Sequence, residues 1–203
     1  MQWTPRIISA AVGLAVSASI AGAQTTVNYT TTGSFNGACS GLACTLGGMT
    51  ISFNPLTSNS VTLDVNNGYF SFLSFGEFNV TGTQVGQQSF AGVSFALLVT
   101  QTLPTPGGTQ ILSGGFTGGI DKNSSNLRWA PLPTSWSIPY QSTNGINYTI
   151  GNPVRLQAPS SNLGVTSIQG DISTSIIPEP STYVLMATGL AGLLVAARRR
   201  RAA

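Results

Sequence analysis

Residues 60–80 read SVTLDVNNGYFSFLSFGEFNV, and polar and apolar side chains alternate through much of this stretch. A period of two is typical of β-strands that bury one face. Between the two runs, Asn66-Asn67-Gly68 offers the positive φ angles that a tight hairpin turn needs. The phenylalanines of the second run change face near Gly76, where a glycine predicts a bulge or bend. The stretch therefore predicts a β-hairpin whose second strand is interrupted.

The same alternation continues further along the chain. Ser94–Gln101 places Phe95, Leu97 and Val99 on one face, and Pro104–Gly108 then breaks the pattern. Further candidate strands are Gln110–Ile120, Trp129, Trp136–Tyr140, Ile146–Ile150, Val154–Gln157 and Val165–Ile172.

The region between residues 24 and 176 shows no apolar stripe of the kind that a surface helix buries. Short strands with turn signals about every 8–12 residues are typical of sandwiches and barrels. We therefore predict an all-β fold, a single β-sandwich or jelly-roll-like domain over residues 24–172, followed by a linker at 173–177. Repeated aromatic and β-branched runs argue against intrinsic disorder, which is the competing interpretation.

The first 23 residues have the parts of a secretory signal peptide. Arg6 precedes the uncharged run Ile7–Ile20, and Ala21 and Ala23 supply the small residues that a signal peptidase reads. We predict cleavage after Ala23. Gln24 stands where a lipoprotein would have cysteine. The alternative is a retained N-terminal helix.

Residues 178–203 form a second targeting segment, with Pro178-Glu179-Pro180, an uncharged run from Ser181 to Ala197, and then Arg198, Arg199, Arg200 and Arg201. As a helix the run would be about 25 Å long, near the lower limit for spanning a bilayer. The arginine cluster is predicted to stay cytoplasmic and act as a membrane stop, which leaves the rest of the chain outside. The prolines favour an extended segment, the form in which a protease binds its substrate.

This order of motif, apolar helix and arginine cluster resembles the PEP-CTERM sorting signal. The resemblance implies export from a Gram-negative cell that makes exopolysaccharide, and cleavage near the motif by a membrane enzyme called exosortase. The membrane-anchored precursor would become a cell-surface or extracellular matrix protein. The resemblance covers only residues 177–203, and the alternative is a plain C-terminal anchor.

The net charge of +3 comes from the targeting segments, which hold Arg6 and the four tail arginines. Between Gln24 and Ser181 the chain has three cationic and five anionic side chains, a net charge of −2. Because this region has no basic patch, we exclude nucleic acid as a main partner.

The two cysteines, Cys39 and Cys44, bracket a glycine-containing turn. In an oxidising compartment outside the cytoplasm we predict that they form a disulfide. Zinc would need four ligands, and the chain has no histidine to complete the set. A redox-active pair is the remaining alternative, although the usual two-residue spacing is missing.

The absence of histidine also excludes the common hydrolase triads, and no catalytic residue, metal or cofactor is predicted. Glycosidases that use two carboxylates need separate consideration, with Asp64, Glu77, Asp121 and Asp171 as the candidate acids. Burial among phenylalanines would raise the pKa of Glu77, but an exposed carboxylate beside a bulge is the simpler interpretation.

Two further ligand sites are conceivable from side-chain types. Asp121, Asn123 and nearby carbonyls could hold Ca²⁺, although no Asp-rich loop supports this. Trp129, Trp136 and Tyr140 could stack on sugar rings of an extracellular polysaccharide, or they belong to the core. The sequence favours an exported, non-catalytic structural or adhesive domain over a carbohydrate-active enzyme with a carboxylate pair.

Overall fold

A computed structural model describes residues 24–63, 68–106, 108–140, 144–174 and 188–192. The chain divides into a unit at Gln24–Ile176 and a second unit of Met1–Ala23 and Ile177–Ala203. Of the second unit only residues 188–192 are described, as a helical segment. Within these ranges no helix is both long and apolar enough to cross a bilayer.

The first unit consists of β-strands, which confirms the all-β prediction. Its strands are β1 (Thr25–Gly37), β2 (Ala43–Leu46), β3 (Met49–Asn54), β4 (Asn59–Leu63), β5 (Phe70–Gly82), β6 (Gln88–Ser89), β7 (Val93–Leu103), β8 (Gly108–Thr117), β9 (Gly119–Ile120), β10 (Arg128–Trp129), β11 (Ser135–Tyr140), β12 (Asn144–Ile150), β13 (Val154–Arg155) and β14 (Val165–Thr174). A 3₁₀ turn at Asn162–Gly164 precedes the last strand. That strand extends two residues into the segment predicted as a linker.

Twelve of these strands form two antiparallel sheets of six strands each. The first sheet has the order β13-β10-β8-β7-β1-β4, and the second sheet has the order β11-β12-β14-β5-β3-β2. Strands β6 and β9 make a small two-stranded sheet. The layered arrangement fits a sandwich, whereas a jelly roll has eight strands in all.

The inner faces of the two sheets share one core built around aromatic rings. The ring of Phe78, from the second sheet, lies 5.0 Å from that of Phe95 and 5.6 Å from that of Trp129, both from the first. Each such pair contributes about 0.5–1.5 kcal/mol beyond the burial of its area. Phe35 and Phe53 extend the same cluster. The core therefore joins the sheets through rings that come from both.

Two buried tyrosines, one on each sheet, also connect the sheets, because each donates a hydrogen bond to the other sheet. Tyr29 of β1 donates to the carbonyl oxygen of Ser74 on β5 at 2.6 Å. Tyr148 of β12 donates to Oε1 of Gln101 on β7 at 2.7 Å. Both tyrosines are fully buried. Each hydrogen bond therefore satisfies a hydroxyl group that would be costly to bury without a partner.

The predicted interruption of β5 is confirmed. Leu73 and Phe75 are buried before Gly76, and Phe78 and Val80 are buried after it, so the inward face shifts by one residue. Gly76 has a φ of +111°, and the register of β5 against β14 shifts at this point. The extra residue of the bulge is what allows phenylalanines on both sides to enter the same core.

The predicted hairpin around Asn66-Asn67-Gly68 is wrong. Strand β4 pairs with β1 in the first sheet, while β5 pairs with β3 and β14 in the second. The connection carries the chain from one sheet to the other, and residues 64–67 lie outside the description. A turn signal predicts a reversal of direction but does not determine which strands pair.

Three strands before residue 59 were not predicted. In β1 the inward positions include Thr25, Thr31 and a glycine as well as Val27 and Tyr29. Threonine at a buried position hides the alternation of apolar residues on which the sequence analysis depends. This strand nevertheless lies inside the first sheet, between β7 and β4.

Candidate functional site

The predicted site residues of the two targeting segments lie outside the part of the chain that the structure describes. This holds for Ala21 and Ala23, for Pro178, Glu179 and Pro180, and for Arg198, Arg199, Arg200 and Arg201. The roles assigned to these residues therefore stay predictions from the sequence.

The predicted disulfide between Cys39 and Cys44 is confirmed. It closes the connection between β1 and β2, with Cys44 buried against the core. The same connection is held by backbone hydrogen bonds, from the Phe35 amide to Gly41 and from the Phe53 amide to Leu42. The disulfide is therefore one of several constraints on this turn.

Asp121 uses its carboxylate to stabilise its own turn. Oδ1 accepts hydrogen bonds from the amides of Asn123, at 2.7 Å, and Ser124, at 2.8 Å, and Oδ2 accepts one from the Ser124 hydroxyl at 2.9 Å. The backbone hydrogen bonds hold the pKa of Asp121 below its usual value. Since these hydrogen bonds engage both carboxylate oxygens, stabilisation of the turn explains the presence of Asp121 without a Ca²⁺ ion. Among the described residues no three His, Cys, Asp or Glu side chains form a metal-binding group.

Glu77 and Asp171 lie apart on the outer face of the second sheet. Glu77 is half-exposed and accepts a hydrogen bond from Asn54 at 3.2 Å, which confirms the simpler interpretation of this residue. It stands opposite Ser167, four residues before Asp171 on the neighbouring strand. At about 3.3 Å per residue their backbone positions are roughly 13 Å apart along the sheet. Asp64 lies outside the description.

Of the tryptophans proposed as sugar platforms, Trp129 belongs to the core, and Trp136 is partly buried against it. Trp129 is fully buried, and its Nε1 donates to the carbonyl oxygens of Phe95 and Gly114. Trp136 stacks on Tyr148 with ring centroids 5.2 Å apart and an interplanar angle of 4°. The side chain of Tyr140 is not among those described.

A shallow groove runs across the outer face of the second sheet, over β5, β14 and the end of β12. It consists of three adjoining depressions of about 440, 240 and 230 Å³, and Gln169 lines all three. Phe72 lines the larger two, and Arg155 lies at the opposite end. Asp171 and Thr149 line the depression of about 240 Å³.

The groove exists because the second sheet is incomplete beside the first half of β14. Strand β12 pairs with β14 only as far as Ile150, opposite Gly170. The Gly151 amide still donates to the carbonyl oxygen of Gln169 at 2.9 Å, and after Gly151 the chain leaves this sheet and joins the first sheet as β13. On the other side the bulge in β5 lies opposite Ile168 and disturbs the pairing there. Gln169 lies next to both interruptions, and its side chain is exposed.

Phe72 is the residue of this groove that sequence reasoning missed. Its side chain is 77% exposed although it lies within strand β5. Leu73 and Phe75 occupy the inward face of the same segment, so Phe72 and Phe70 face outward. The signal was present in the sequence, because Phe70 and Phe72 stand at even positions of the strand and Phe75 at an odd one. Side chains at even and odd positions face opposite sides of a strand, so one set of phenylalanines had to face outward.

The comparison with protein families gives one match, at the C-terminal tail. Residues 177–201 match the PEP-CTERM protein-sorting motif. The chain carries a PEP-CTERM sorting signal. This result confirms the resemblance seen in Pro178-Glu179-Pro180, the apolar run and the arginine cluster.

The PEP-CTERM motif marks an exported protein that is targeted to exosortase and sorted from the membrane of a Gram-negative bacterium. It begins shortly after β14 ends at Thr174, so the β unit at 24–176 has no part in the match. No curated protein and no solved structure matches the chain significantly.

Proposed function

We propose that residues 24–176 are a non-catalytic structural or adhesive domain of the cell surface or exopolysaccharide matrix. In this proposal signal peptidase removes residues 1–23, and the tail anchors the precursor in the inner membrane. Exosortase then cleaves near Pro178-Glu179-Pro180 and delivers the β unit to the outside.

The observation that carries this proposal is the PEP-CTERM motif placed directly after a β unit with its own core. The surface of that unit supports an extracellular role. The outward positions of β1 and β14 hold mainly Thr, Ser, Asn and Gln, and few side chains are charged. The disulfide between Cys39 and Cys44 is consistent with an oxidising compartment.

The separation of Glu77 and Asp171 supports a non-catalytic role over the carbohydrate-active alternative. A retaining glycosidase has its carboxyl groups about 5 Å apart, and an inverting one about 6.5–9.5 Å. The backbone positions of Glu77 and Asp171 are farther apart than this, and Gln169 lies between them on β14. Asp121 uses its carboxylate within its own turn.

Mass spectrometry of the surface-associated protein tests the proposal. We expect no peptide from 185–197 in that form, and we expect Glu179→Ala to leave unprocessed precursor in the inner membrane. Glu77→Ala is the matched control, because it removes a half-exposed carboxylate from the β unit and should be processed normally.

An intact C-terminus on the surface form would show that the tail is only an anchor. The purified protein is also incubated with the polysaccharide of the bacterium that produces it. Release of reducing ends by the wild type, but not by Asp171→Asn, would show that the protein is an enzyme instead.

A further inference from the structure

We propose that the groove around Phe72 and Gln169 binds an uncharged polysaccharide chain. This inference rests on the proposed function, since it names the ligand class that an adhesive matrix domain would hold. The groove crosses the outer face of the second sheet, and its lining residues fall within 72–74, 149–155 and 166–171.

The aromatic and polar groups of the groove form a row across the strands. Phe72 stands directly opposite Asp171, and Asp171 stands opposite Thr149 on its other side. Directly opposed side chains in a sheet have Cβ atoms about 4.5–5.5 Å apart. A ring, a carboxylate and a hydroxyl are thus presented side by side on one surface.

These polar groups are available to a ligand. Within the described part of the chain, no hydrogen bond is made by the side chains of Gln169, Asp171 or Thr149. Elsewhere on the same face Glu77 is bonded to Asn54, so the outer face does contain side chains that satisfy one another. The groove therefore keeps an amide, a carboxylate and a hydroxyl directed at solvent.

The exposed ring of Phe72 provides the apolar part of such a site. A sugar ring has an apolar face of C–H groups and an equatorial belt of hydroxyls. Phe72 can cover the first, and Gln169, Asp171 and Thr149 can hydrogen-bond the second. A purely apolar partner would leave the amide and the carboxylate desolvated without a hydrogen bond, which is costly.

The charges of the groove favour an uncharged chain over an anionic one. Asp171 and Phe72 line the same depression, whereas Arg155 lines another, which neither of them lines. A uronate or sulfate group on a sugar stacked on Phe72 would be repelled by Asp171. Because the groove is open and longer than one sugar ring, we expect binding along a chain and not at its end.

Affinity electrophoresis of the full chain in detergent, through gels containing dextran, galactomannan, xyloglucan or alginate, tests this inference. We expect at least one of the three uncharged polysaccharides to retard the protein. Phe72→Ala should weaken that binding by about tenfold or more, because the buried aromatic area is lost. Gln169→Ala should weaken it as well. Ile111→Ala is the matched control, since it truncates an exposed apolar side chain, 57% accessible, on the first sheet.

Three results would overturn the inference: retardation by none of the uncharged polysaccharides, retardation by alginate alone, or binding that is unchanged in both Phe72→Ala and Gln169→Ala. Surface delivery and loss of the tail are measured on the same variants. If delivery is normal and binding is absent, the groove inference fails while the proposed function stands. If the wild-type tail stays intact at the surface, the proposed function fails whatever the gels show.

Discussion

At Gly76 the backbone has a φ of +111°, and a Cβ placed there would lie 2.7 Å from the carbonyl oxygen of Asn54 and 2.9 Å from the ring of Phe53. We expect Gly76→Ala to destabilise the β unit by about 2–3 kcal/mol, through both backbone strain and overlap with the core. Gly86→Ala is the control, because Gly86 has a φ of +104° but nothing within 4 Å of its Cβ position. That change should cost only about 1 kcal/mol.

Urea unfolding of the two variants checks this prediction. Equal losses at Gly76 and Gly86 would mean that backbone conformation alone matters and that close packing at the bulge does not.

The disulfide contributes modestly to stability. A loop of this length closed by a disulfide accounts for about 2 kcal/mol in the chain-entropy description. We expect Cys39→Ala/Cys44→Ala to lose roughly this amount and to keep the same circular dichroism spectrum, since backbone hydrogen bonds also hold the turn. Global unfolding of the double variant at 25 °C would show that the bond is essential to the fold.

The hydrogen bonds of Tyr29 and Tyr148 between the two sheets make the stability of the β unit sensitive to alkaline pH. Burial raises the pKa of Tyr29 to about 12, and burial followed by the proximity of Tyr29 raises the pKa of Tyr148. In the unfolded chain a tyrosine ionises near pH 10. The contribution of these groups is therefore complete below pH 10 and is lost as the pH rises through the folded-state pKa.

We expect the urea midpoint of unfolding to fall between pH 10 and 12, and to fall less in Tyr29→Phe and Tyr148→Phe. Tyr69→Phe, at a half-exposed position, is the control. An identical fall in all four proteins would assign the alkaline sensitivity to other groups.

The strands differ in how well their sequences predict them. Strand β7 was predicted because Phe95, Leu97 and Val99 alternate with more exposed residues. Strand β1 was missed because Thr31 fills an inward position that usually carries an apolar residue. A buried threonine is tolerated there because its Oγ1 accepts a hydrogen bond from the Leu56 amide.

The groove could not be predicted from the alternation of polar and apolar residues along single strands. It depends on the pairing of Phe72 with Asp171, which are far apart in the chain, and on the departure of the chain from the second sheet at Gly151. Alternation indicates which side chains share a face of one strand. It carries no information about which strand lies beside it, and for the same reason the turn at Asn66-Asn67-Gly68 was assigned to the wrong pair of strands.

At the scale of the whole molecule the tail arginines are predicted to hold the precursor in the membrane. Changing Arg198–Arg201 to Gln should leave export intact, because the predicted signal peptide would start translocation, and should weaken retention of the precursor before processing. Arg128→Gln, an exposed arginine in the β unit, is the control. Fractionation of pulse-labelled cells measures both steps, and normal retention of the Gln variant would contradict the assigned role of the cluster.

The order of strands in the two sheets also bears on when the protein folds. Arg128 pairs with Arg155 in the first sheet and Phe72 pairs with Asp171 in the second, so neither sheet is complete until nearly the whole β unit has been synthesised. Domains dominated by such distant pairings fold in about milliseconds to seconds, because a long loop must close before each contact forms. A chain that lacks its last strands has neither sheet complete, and in that state it can enter a narrow translocation channel in extended form. In the proposed route of export, the sheets then assemble on the far side of the membrane, where the cysteines can be oxidised.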